Sequence, residues 1–156
     1  MLPTSRLKLL PKTLEGVRTA IAAMSADQRA QLSSEWLAQL DSPLVNLWTL
    51  GFDIVEQETD AVVGGCGFKG PSGEDGSVEI AYFVDEGHQN RGYATEAASA
   101  LVTYAFENEV RTVRAHTLSP LNASGHVLKK CGFQLVGEVV DPEDGPVWRW
   151  ERHRSS

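Results

Sequence analysis

The stretch Val78-Glu79-Ile80-Ala81-Tyr82-Phe83-Val84-Asp85-Glu86-Gly87-His88-Gln89-Asn90-Arg91-Gly92-Tyr93-Ala94-Thr95 holds a β-type run, a turn and the opening of a helix. Val78 to Val84 is rich in β-branched and aromatic residues and reads as a strand. From Tyr93 to Asn108, Ala94, Ala97, Ala98, Leu101, Val102, Ala105 and Phe106 recur on one broad helical face. Val113 to Leu118 is a further strand. A strand, a helix and a parallel strand form a right-handed crossover, and ligands of such units bind outside the carboxyl ends of the strands.

Outward from that unit, Arg6 to Leu10 alternates and is closed by Pro11, which predicts a first strand. Thr13 reads as a helix N-cap before Leu14, Val17, Ile21 and Met24. A second helix restarts at Ser25, with Leu32, Trp36, Leu37 and Leu40 on one stripe. Trp48 to Glu56 and Ala61 to Phe68 predict a hairpin around Glu58-Thr59-Asp60. After the central unit, Ser124 to Lys130 predicts a short helix ended at Cys131-Gly132. Phe133 to Val140 and Val147 to Arg152 then close the chain as two strands around Asp141-Pro142-Glu143-Asp144-Gly145. The order mixes antiparallel hairpins with one crossover and defines an α+β architecture.

With 156 residues, 42% of them apolar and 22% charged, the chain has the size and composition of one globular domain spanning 1–156. The formal net charge of −7 opposes nucleic-acid binding. Apolar runs such as Ala61-Val62-Val63 are too short to cross a bilayer, and the N-terminus shows no secretory pattern. A cytoplasmic protein is expected. Cys66 and Cys131 are too few and too far apart for a metal cluster or a disulfide framework and read as core residues. No His, Cys and carboxylate spacing suggests a metal.

Gln89 to Thr95 carries the strongest site signal. Gly92 permits a close backbone approach, and the first amides of the helix have no partner within it. Phosphate groups fit such a place, and Arg91 can add a charge-assisted contact. On spacing alone, a plain strand-to-helix turn fits equally well. Gly65-Cys66-Gly67-Phe68-Lys69-Gly70 also satisfies G-x-G-x-x-G, but it runs into Pro71 instead of opening a helix. It reads as a strand and turn whose glycines let neighbouring backbone approach.

Gln89-Asn90-Arg91-Gly92-Tyr93-Ala94 resembles the Q/R-x-x-G-x-G/A motif of the GNAT acyltransferase superfamily. Thr95-Glu96-Ala97, Glu79 to Asp85, and Ser124 through Leu128-Lys129-Lys130-Cys131-Gly132-Phe133 resemble its RimJ/RimL-like branch. The resemblance implies a central, mostly antiparallel mixed sheet of about six to seven strands flanked by helices, with a splayed parallel pair at the cofactor site. It implies acetyl-CoA as donor and a primary amine as acceptor, either a protein N-terminus or a small molecule.

In that picture the backbone of Phe83 and Val84 meets the pantetheine arm, with the Val84 amide polarising the thioester carbonyl. The amides of Gln89, Asn90, Arg91, Gly92, Tyr93, Ala94 and Thr95 form the pyrophosphate loop. Glu79 is the candidate base, through one or two waters; a solvent-facing strand carboxylate is its other reading. The acidic Asp141 to Asp144 turn is a second candidate. Many relatives protonate the leaving thiolate with a Tyr four residues before the final Gly-Phe pair, where this chain has Leu128. Ser124 stands where the RimL-like branch carries a Ser and could serve instead, although it also reads as a helix N-cap. The branch's Asn falls at Leu121, with Asn122 one residue later as the candidate pantetheine contact. His116, and Trp148 with Trp150, read as packed strand residues, and apolar strand faces near Trp148 would suit a homodimer. The rival reading is a non-catalytic acyl-CoA-binding module.

Overall fold

The computed structural model describes residues 2–32, 34–41, 47–69, 73–119, 122–141 and 145–154. A short strand β1 (Leu2–Pro3) precedes β2 (Leu7–Pro11). Four helical segments follow: α1 (Leu14–Ala22), α2 (Ala26–Ala30), α3 (Ser34–Leu40) and α4 (Leu47–Leu50). Then come β3 (Phe52–Glu56), β4 (Val62–Phe68), β5 (Ser77–Val84), a 3-10 turn (Glu86–His88) and α5 (Tyr93–Glu107). The chain ends with β6 (Thr112–Thr117), α6 (Ala123–Lys130), β7 (Gln134–Asp141) and β8 (Gly145–His153).

The strands form one eight-stranded sheet in the order β1-β2-β3-β4-β5-β6-β8-β7. Every neighbouring pair is antiparallel except β5 and β6. The expected sheet of six to seven strands is thus one strand wider, because Leu2-Pro3 pairs with Lys8-Leu9. Two helical expectations are corrected. The predicted second helix is split: Ser25 makes a capping box with Gln28, but α2 ends at Ala30 and α3 starts at Ser34. Serine favours helix ends over interiors because its hydroxyl competes for backbone groups. Trp48, expected in a strand, lies in α4, and the strand begins at Phe52 after Gly51.

α5 and α6 cover one face of the sheet, and the main core lies beneath them. Ala97, Ala98, Leu101, Val102 and Ala105 of α5 pack with Ile54, Val63, Val78, Ile80 and Val113. Leu101 is fully buried, so truncating such a side chain to Ala costs about 2–5 kcal/mol. The glycine-rich run is strand β4, as expected. A Cβ on Gly64 would lie 2.1 Å from the Phe83 carbonyl oxygen, so only glycine allows this spacing between β4 and β5. At the outer edge, β7 exposes Leu135, Val136 and Val140. Among the described residues no helix is long and apolar enough to cross a membrane.

Candidate functional site

β5 and β6 pair only through Ser77 with Thr112, Val78 with Val113 and Glu79 with Arg114. From Ile80 to Val84, β5 keeps β4 on one side and borders an opening on the other. Lys69 N donates to Glu79 O at 2.8 Å, and Asp85 N donates to Val63 O at 2.7 Å. These bonds turn the odd-numbered backbone groups of β5 toward β4. By strand alternation those of Ile80, Tyr82 and Val84 face the opening. The Val84 backbone therefore borders the opening, whereas the Phe83 backbone does not: its carbonyl lies against Gly64. What Phe83 presents is a side chain, 60% exposed, on the sheet face opposite α5.

The upper end of β5 leads through the 3-10 turn to the start of α5. Gln89 is held back onto the strand by its Nε2, which donates to Val84 O at 2.9 Å. Asn90 and Gly92 both adopt the left-handed conformation, at φ 64° and 81°, and they flank Arg91. Residues of this handedness curl successive N–H groups into an anion-binding concavity. Gly92 is the N-cap and supplies no side-chain cap. The first helical bond runs from Glu96 N to Gly92 O at 3.1 Å, which leaves the Tyr93, Ala94 and Thr95 amides without intrahelical acceptors. Arg91 Nη1 stands 3.5 Å from Glu56 Oε2 and is half exposed. Tyr93 also donates to Glu56, and with Thr59 this hydrogen bonding holds the Glu56 carboxyl below its ordinary value.

A second cation at this helix start was not legible in the sequence. The Arg6 guanidinium lies 4.9 Å over the Tyr93 ring and pairs with Glu96, whose carboxylate also accepts from Thr4 at 2.9 Å. A Cβ on Gly92 would stand 3.1 Å from Arg6 Nη2. The contact joins residues ninety positions apart, and no local pattern marks it.

On the other side of the opening, Asn122 caps α6 by accepting from Gly125 N at 2.9 Å. Ser124, read above as a possible cap, is instead inside the first turn of the helix. Its carbonyl accepts from the Tyr82 hydroxyl at 3.2 Å. Burial pushes the Tyr82 hydroxyl up to about 12, so it stays protonated. Tyr82 is a donor between β5 and α6 that the sequence reading did not single out. Leu128 is fully buried, and Leu121 lies outside the described residues.

Glu79 is at the base of the opening. Its Oε2 lies 2.8 Å from Lys69 Nζ and 3.2 Å from His116 Nδ1. Burial alone raises the Glu79 carboxyl, but the hydrogen bonds from His116 and Lys69 outweigh it and hold the group below its usual range. Arg149 Nε in turn donates to His116 Nε2 at 3.1 Å. Glu79 is therefore not a lone solvent-facing carboxylate. Pro142, Glu143 and Asp144 of the rival acidic turn lie outside the described residues. Cys66 and Cys131 are buried free thiols, with Cys66 pushed up to about 12 by burial. Trp150 is a core residue whose Nε1 donates to Thr117 at 3.0 Å.

Residues 8–134 match the family model of the acetyltransferase (GNAT) domain. The chain belongs to this GNAT family. An uncharacterized N-acetyltransferase of Bacillus subtilis (strain 168), YjdG, is 36% identical over 94 residues, covering 58% of this chain and 56% of that protein. The uncharacterized N-acetyltransferase p20 of Bacillus licheniformis is 33% identical over 93 residues, 59% of this chain and 52% of that one. The chain thus spans about half the length of the curated relatives it matches. Among solved structures, a GNAT-family acetyltransferase from Bacillus anthracis superposes with a TM-score of 0.71 at 17% identity, covering 97% of both chains. The ribosomal-protein acetyltransferase RimL, in complex with coenzyme A, superposes at 0.70 with 20% identity, again over 97% of both. At these identities the likeness is one of fold. Beside the opening, the backbone edge of β5 and the amides that begin α5 are the groups left without partners inside their own elements.

Proposed function

We propose that this chain transfers the acetyl group of acetyl-CoA to a primary amine by direct attack within a ternary complex. The observation that carries this reading is the opening beside Ile80 to Val84, which ends at the amide-lined start of α5. In this reading the Asn90 to Thr95 amides and Arg91 hold the pyrophosphate, with Gln89 bracing the loop. The Tyr82 and Val84 backbone meets the pantetheine arm, which Asn122 borders. Acetyl-CoA bound there supplies an activated acyl carbon.

The residues then divide the work. The Val84 amide faces the opening and donates to the oxygen on which charge builds, a contribution that is large in a water-poor site. The proton of the incoming ammonium leaves toward the Glu79 end of the opening, where Glu79 is the base expected from the sequence, because only a neutral amine can attack. As the nitrogen-to-carbon bond forms and the carbon-to-sulfur bond breaks, Ser124 gives the thiolate its proton. The cofactor approaches from the α5 side, which leaves the face bearing Glu79 and Phe83 to the amine. The pattern from Glu79 to Asp85 and from Ser124 to Phe133 favours the RimJ/RimL-like branch, and hence a protein N-terminus or a small amine as acceptor. The apolar outer edge of β7 would suit a homodimer.

The test is thiol release from acetyl-CoA over a panel of small amines and N-terminal peptides, alongside calorimetric titration with CoA. Turnover of any member supports the reading. Tight CoA binding with no turnover across a broad panel would favour a non-catalytic module, in line with the apolar Leu128.

A further inference from the structure

His116 lies two residues beyond Arg114, the last β6 residue in register with β5, and shares the sheet face of Glu79. Its side chain is 11% exposed, and both ring nitrogens are engaged. Nδ1 faces the Glu79 carboxylate at 3.2 Å and so carries the proton; Nε2 accepts from Arg149 Nε at 3.1 Å and so carries the lone pair. The two contacts define a neutral imidazole of fixed tautomer, backed by a carboxylate. The charged groups around it are Glu79 on β5, Lys69 at the end of β4 and Arg149 on β8. Arg114 and Glu151 pair with each other one step along the same face.

Register gives the second argument. Glu79 precedes Val84 by five residues, about 17 Å along a strand. On β6, His116 lies two residues beyond Arg114, about 7 Å farther toward the open end of the strand pair. A carboxylate at Glu79 is thus remote from a nitrogen attacking near the Val84 amide, and His116 is displaced from it toward that end.

We propose that His116 Nε2 accepts the proton of the attacking amine, directly or through one water, in place of a chain of waters to Glu79. Glu79 is then a positioning residue: it fixes Nδ1–H and stabilises the imidazolium that forms. Arg149 donates to Nε2, and the amine has to displace that contact to reach it. The proton taken up by Nε2 passes afterwards to water, and the departing thiolate takes its own proton from a separate donor. This role rests on the acetyl-transfer reading.

The experiment uses the full chain with an amine that the wild-type protein turns over. His116→Gln should lower kcat/KM for the amine about 10²–10⁴-fold while CoA affinity by calorimetry stays unchanged. Glu79→Gln should lower kcat for the amine with its KM nearly unchanged, since the imidazolium loses its counter-charge. Wild-type rates in His116→Gln would overturn the proposal. Independently of turnover, nitrogen-resolved NMR of the histidines in the wild-type protein should show His116 with its proton on Nδ1 at neutral pH. A proton on Nε2 would overturn it even if the variants do not fold. Absence of turnover in the wild type, with the NMR result as expected, would count against the acetyl-transfer reading instead.

Discussion

The Tyr93 hydroxyl donates to Glu56 Oε2 at 2.6 Å, and Arg91 Nη1 stands 3.5 Å from the same oxygen. One carboxylate of β3 thus holds two residues of the anion-binding loop, and it sets a negative charge beside the place proposed for the pyrophosphate. Glu56→Gln keeps an acceptor for Tyr93 but removes the charge. CoA affinity measured by calorimetry should rise several-fold in this variant, because Arg91 is released to the ligand and a repulsion is lost.

Gly92 sits at φ 81° with Arg6 Nη2 at 3.1 Å from its would-be Cβ. A β-branched residue there is strained and displaces Arg6 from the helix start. Gly92→Val should abolish CoA binding in the same titration, while the circular dichroism spectrum remains that of the wild type. Retained affinity would contradict the loop assignment.

Ser124 is free of the N-cap duty, which Asn122 performs. Ser124→Ala should therefore leave thermal stability close to wild type and slow thiol release with CoA affinity unchanged. An Asn122→Ala variant should behave differently. It loses the cap of α6, with a cost of about 0.5–2 kcal/mol read from denaturant unfolding.

Glu79 is held below its ordinary value of 4.5 by His116 and Lys69 despite its burial. A carboxyl whose folded pKa is depressed stabilises the fold fully above its unfolded pKa, and that contribution disappears as pH falls through the folded value. Glu79→Gln should be less stable than wild type at neutral pH, and the gap should close on acidification below about 4.5. Unfolding midpoints across that range check the sign.

The crossover unit was legible from residues 78 to 118 alone, because helical and strand periodicities differ and the turn Asp85 to His88 separates them. Close backbone approach was legible in the run that begins at Gly65, although its tightest point falls one residue earlier at Gly64, and the glycine before α5 was legible for the same reason: glycine placement reports local backbone geometry. The break between α2 and α3 and the helical turn at Trp48 were missed, since short apolar stretches carry too few residues to distinguish periods.

Local order along the chain determined the element types, the parallel crossover, the family and the loop that opens α5. Only the tertiary structure decided which groups meet there. The separation of β5 from β6 after Glu79, the turning of the Phe83 backbone to β4, Arg6 over Tyr93, and the Glu79, His116 and Arg149 chain all depend on pairings across distant positions. A side chain's partner in such a pairing is set by strand register and helix packing, which involve the whole sheet. No spacing within one segment encodes it.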